Sequence, residues 1–319
     1  TVATPFDLAS VTKPIVALSL VRLVRERRIR LEESLGSIVP ELASTFAGAL
    51  PIELLLAHRA GLAAHIELFA PLRDGRNVDR EASIVRAADS RRPECVGTSP
   101  PEGYPPVYSD MGYLLLGLAI ERRAGAPLDE IVEREVLAPL SLSGRIGSAR
   151  QLRARQSEFD RVVAPTEDVA FRGGVVRGVV HDENAFALYG DALAGHAGLF
   201  GDARAVLMIG EALLRAVTTD DGWLGPEDLA PLIRPRPGGT LLAGFDGKSA
   251  ESPSSGSKLG PRTFGHLGFT GTSLWIDPEA SFAGVLLSNR VHPTREHIAI
   301  RKARPAVYDA LFDALGPKV

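Results

Sequence analysis

The chain has 319 residues, 45% of them hydrophobic and 24% charged, with a formal charge of −3. This is the balance of an ordinary folded protein with room for one large or two interlocked domains of roughly 150 residues each, and it carries no basic stripe for nucleic acid. A single cysteine, Cys95, excludes a disulfide framework and a cysteine-rich metal cluster, and the apolar run 15–24, broken by Ser19 and Arg22, falls short of the roughly 18 residues of a membrane span.

Residues 11–27 place Ile15, Val16, Leu18, Val21, Leu23 and Val24 as expected of a largely buried helix. Pro14 falls in or beside its first turn, where few intrahelical donors are required, and Arg25, Arg27 and Arg28 sit where the dipole favours cations. The helix is therefore expected to begin close to Ser10. From Leu31 to about Gly201 the pattern is mostly short helices joined by Pro- and Gly-rich loops such as 92–106. A second clear helix runs from Asp110, its expected N-cap, to about Arg123, which leaves Tyr108 just ahead of a helix. Near the end, 270–276 and 283–288 read as strands of an antiparallel hairpin around Asp277-Pro278-Glu279. Residues 303–315 read as a helix packed on that sheet, and the Gly/Ser/Pro-rich stretch 247–261 as a mobile loop. No internal repeat is found. The first residue is Thr1 and no signal-like segment follows, so localisation stays open.

Three short patterns carry chemistry. Ser10-Val-Thr-Lys13 puts a hydroxyl and an amine on one helical face, where a partly desolvated lysine of lowered pKa can take the serine proton. Taken alone, Ser10 reads equally as a helix cap, and Ser255-Gly-Ser-Lys258 matches the same spacing in a loop. Tyr108-Ser-Asp110 offers a phenol able to relay that proton, with a neighbouring ammonium lowering its pKa; taken alone it is a core tyrosine ahead of a cap. His266-Leu267-Gly268-Phe269 leads into the strand 270–276, and a glycine at a strand edge admits a substrate close to the backbone. The amides of Ser10 and Phe269 then form a candidate oxyanion hole. His181, Asp182 and His196 read as buried hydrogen-bonding groups, and His58 with Gly61 as a loop brace.

In this order, Ser-x-x-Lys opening a helix, Tyr-Ser-Asp far downstream and His-x-Gly by a late strand resemble the serine hydrolases of the class C β-lactamase and penicillin-binding-protein family. Phe6-Asp-Leu-Ala-Ser10-Val-Thr-Lys13, Leu55-Leu-Ala-His58-Arg-Ala-Gly61-Leu62, His181-Asp-Glu-Asn-Ala185, Gly195-His-Ala-Gly-Leu-Phe200 and 265–275 extend the resemblance over nearly the whole chain. It implies an α+β fold, an antiparallel sheet flanked by helices (1–40 and 202–319) with an inserted mostly helical region (41–201). It also implies a hydrolase needing no cofactor or metal and acting on a small-molecule or peptide substrate, an ester, amide or β-lactam. By the same resemblance Ser10 is the nucleophile, Lys13 and Tyr108 the proton-transfer pair, and Asp110, where the family often has Asn, a contact of Lys13 or of the substrate amide.

His266-Leu267 stands where classical β-lactam enzymes have Lys-Thr, removing a cation and a hydroxyl that would hold a substrate carboxylate, which leaves room for esterases. Only residues 1–9 precede Ser10, so the edge strands expected before it are missing from the sequence given. The rival expectation is a penicillin-binding or sensor module that acylates without turnover, or an inactive scaffold. Oligomeric state is not read.

Overall fold

A computed structural model describes residues 1–315. Its strands are β1 (Phe6–Asp7), β2 (Ile146–Ser148), β3 (Asp168–Val169), β4 (Gly174–Val175), β5 (Leu199–Gly201), β6 (Asp246–Gly247), β7 (Phe264–Leu267), β8 (Ser273–Asp277) and β9 (Phe282–Leu286). The helices that position the site are α1 (Thr12–Arg25), α2 (Asp110–Ala124), α3 (Ala203–Ala216) and α4 (Ile300–Leu315). Among the described residues no helix is long and apolar enough to cross a membrane.

The larger sheet is antiparallel in the order β6-β7-β8-β9, with Leu274 opposite Val285 and His266 opposite Leu274. Successive side chains of β8 face opposite ways. Leu274 and Ile276 meet α3 at Gly210, whereas Trp275 and Phe282 pack with Tyr308 of α4 on the other face. The expected hairpin and final helix are therefore present. The strand boundaries differ: His266 lies on β7, a strand of its own, and 268–272 form the turn into β8.

α1 runs through the core, buried from Thr12 to Val21, which is why its sequence is apolar on every side. A short 3₁₀ turn, Ala9–Val11, leads into it, so the helix starts where the sequence indicates. A small sheet β1-β5-β2 anchors the segment before Ser10, Phe6 facing Gly201 and Asp7 facing Phe200. The region 31–201 combines mostly short helices with the strand fragments β2, β3, β4 and β5. The stretch 247–261 is tied down rather than loose: Ser255 is fully buried, and Asp309 of α4 accepts the Ser257 and Lys258 amides.

Candidate active site

Ser10 sits where β1 turns into α1, after Ala9 in a left-handed conformation (φ 47°). For a residue with a Cβ such a conformation costs on the order of 1–3 kcal/mol, and the surroundings must over-determine it. They do: Asp7 accepts the Ala9 and His181 amides, while Thr270 and Thr272 donate their hydroxyls to the Asp7 and Leu8 carbonyls. Leu199 completes the clamp by accepting the Leu8 amide and donating its own to Thr12 Oγ1. Gly268 is required here, because a Cβ would overlap the Thr272 hydroxyl and lie 2.6 Å from the Leu8 oxygen.

Lys13, one turn on, is fully buried, and its three protons are all engaged. Nζ donates to Ser10 Oγ at 2.9 Å and to the His196 carbonyl at 3.1 Å, and pairs with Asp110 Oδ1 at 2.7 Å. The His196 carbonyl reaches Lys13 because Gly195 packs directly on α2, where a Cβ would overlap the Tyr113 carbonyl. Burial alone lowers the basicity of Lys13. Asp110 and Tyr108 together outweigh it, and the net pKa is raised. Asp110 is held well below the usual carboxylate range: burial acts against its charge, and Lys13 and the hydrogen bond from His65 lead the groups that together overcome that penalty. Two expectations are thereby corrected. Lys13 is a paired ammonium, and the Tyr108 phenol, despite that neighbour, has its pKa raised by burial.

Tyr108 stands against both partners. Lys13 Nζ lies 4.8 Å from its ring centre, and the charge of that ammonium offsets part of the burial penalty on the phenolate. His58 brackets it: the His58 carbonyl accepts the Val107 amide, Nδ1 accepts the Ser109 amide at 3.0 Å, and the two rings stand 4.7 Å apart. The cap of α2 is Ser109, whose hydroxyl accepts the Gly112 amide, so Asp110 is the first helical residue and is free to face Lys13.

These groups open on a cleft of about 580 Å³ lined by Ser10, Tyr108, Asp110 and 266–269. Burial, with the charge of Lys13, lowers the His266 pKa to about 3, so its ring is neutral at physiological pH. Among the described residues, neither the Ser10 nor the Phe269 amide donates to another protein group, so both remain available to a developing oxyanion. His181 and Asp182 also line the cleft. His181 Nε2 meets Glu167 at 2.9 Å, and His196 Nε2 meets Asp182 at 2.8 Å. Sequence reasoning missed His65, Glu167, Asp246 and Arg295. Arg295 joins Glu167 and Glu183 across the cleft wall, a contact with no local spacing to reveal it. The decoy Ser255 is buried away from the cleft, with Lys258 paired to Asp313.

The family model "Beta-lactamase" matches residues 1–308. The chain is 28% identical to an N-acetylmuramyl-L-alanine amidase of Bacillus subtilis, over 91% of this chain and 68% of that protein. It is also 28% identical to a proposed D-alanyl-D-alanine carboxypeptidase of Escherichia coli, over 92% and 70%. In fold it is similar to simvastatin synthase from Aspergillus terreus, with a TM-score of 0.70 and 17% identity over 99% of this chain and 85% of that one. With a match spanning almost its full length, the chain belongs to the beta-lactamase family and is a serine hydrolase.

Proposed function

We propose that Ser10 attacks an ester or amide carbonyl and carries the acyl group until water removes it. The observation that carries this reading is Lys13 Nζ, placed between Ser10 Oγ and Asp110. As an ammonium it stabilises the serine alkoxide rather than acting as the resting base, and it favours the Tyr108 phenolate. Tyr108 then takes the Ser10 proton as the C–O bond forms, and the negative charge of the tetrahedral intermediate falls on the carbonyl oxygen facing the Ser10 and Phe269 amides. Tyr108 returns the proton to the leaving alcohol or amine as its bond to carbon breaks. A water molecule, activated by the same phenolate, repeats the sequence to release the acid and regenerate Ser10.

The charge of the cleft favours acyl donors without a carboxylate near the reacting carbonyl. Lys13 is paired with Asp110, Arg295 with Glu167 and Glu183, and His266 is neutral, so among the described residues the cleft presents no unpaired cation. Asp182 and Asp246 add negative charge to its lining. The amidase name of the Bacillus relative keeps amides within the reading, while this charge pattern argues against a carboxypeptidase substrate ending in a free carboxylate. The test compares 4-nitrophenyl butyrate with 4-nitrophenyl hydrogen succinate, which differ by a terminal carboxylate. We expect kcat/KM for butyrate to be at least about tenfold higher, a difference of about 1.4 kcal/mol in transition-state binding. Equal rates, or preference for the succinate, would refute the charge argument.

A further inference from the structure

We infer that Arg304 of α4 is a positioning residue for the oxyanion hole, holding the peptide whose N–H is that of Phe269. The inference rests on the acyl-transfer reading above. Arg304 is 8% exposed, and Nη2 donates to the Gly268 carbonyl at 2.7 Å and to the Thr272 carbonyl at 3.0 Å. Among the described residues it has no carboxylate partner, and its Nε is buried without an acceptor. A buried guanidinium in that condition is expensive, and burial lowers its pKa to about 10. Two backbone carbonyls of a turn are a poor return for that cost if stability is the only purpose.

The covalent geometry supplies another purpose. Gly268 C=O and Phe269 N–H belong to one trans peptide, so they point in opposite directions. Fixing the carbonyl on Arg304 fixes the direction of the N–H, and a cation at the oxygen end polarises the unit and strengthens its donor end. Arg290 Nε holds the next carbonyl, that of Phe269, at 2.8 Å, so the turn is restrained at consecutive peptides. Arg304 touches no substrate in this arrangement. It acts through the amide, whose contribution appears only when the carbonyl oxygen becomes an anion.

The test measures Arg304→Gln and Arg304→Lys beside the unaltered chain, using 4-nitrophenyl butyrate, a trifluoromethyl ketone as oxyanion mimic, and thermal unfolding. We expect kcat to fall roughly 10- to 100-fold in Arg304→Gln with KM within about threefold, ketone affinity to fall in parallel, and Arg304→Lys to recover part of both. The inference is overturned if Arg304→Gln keeps kcat and ketone affinity within about twofold. It is equally overturned if both variants are unfolded at assay temperature, because the arginine then serves the fold. Failure of the acyl-transfer reading appears separately, as an unaltered chain that neither hydrolyses the ester nor binds the ketone.

Discussion

Full burial normally weakens a lysine as a base cation, yet Lys13 stays charged because Asp110 lies 2.7 Å away. Burial, with the same carboxylate, disfavours a phenolate at Tyr108, so the Lys13 ammonium and the Tyr108 phenol both titrate on the alkaline side of their usual values. Activity should therefore rise with pH from neutral into the alkaline range. Asp110→Asn removes the charge while keeping the shape. The Lys13 and Tyr108 pKa values then both fall, and the alkaline limb of the kcat profile should move down by roughly one to three pH units. A profile left in place by Asp110→Asn would show that neither group is the titrating one. At this scale Ser10, Lys13 and Tyr108 were legible because their neighbours repeat a known pattern. Their ionisation was not, because it depends on a carboxylate whose direction is set by the Ser109 cap.

The sequence made long, strongly patterned elements readable. α1 begins where Ser10 and Pro14 indicate, and β8 and β9 form the expected hairpin, because their side-chain periods are set by burial on one or more faces. Short elements were not readable. β7 is not readable as a strand of its own, because it has only four residues and the close turn that separates it from β8 is set by Gly268 against Leu8, far away in sequence; β1, β2 and β5 are too brief to carry a period. The supposed loose segment 247–261 owes its order to Asp309 of α4, some fifty residues further along, which no local composition reveals. Arg304 is hidden for the same reason: its partners are carbonyls, and carbonyls leave no mark on a sequence.

Across the whole molecule, buried neutral histidines tie stability to pH. Unfolded histidine titrates near 6.5, whereas His58 and His266 take up a proton only near 3, chiefly because burial disfavours their charged form. Between those values the unfolded chain binds more protons, so stability falls as pH drops below about 6.5, by up to about 1.4 kcal/mol per unit for each histidine. His65, raised by its hydrogen bond to Asp110, works in the opposite sense, so two groups act against one. The unfolding midpoint should fall by several degrees between pH 7 and pH 5, and a midpoint unchanged over that interval would contradict the assigned neutrality of the two rings.

The account depends on Ser10 being the group that becomes acylated. Intact-mass analysis after exposure to a fluorophosphonate, followed by peptide mapping, measures this directly, with Ser10→Ala as control. The expected result is one adduct on the peptide containing Ser10, none in the Ala variant, and loss of ester hydrolysis in both the labelled chain and the variant. Equal labelling of Ser10→Ala, or undiminished ester hydrolysis by it, would contradict the account.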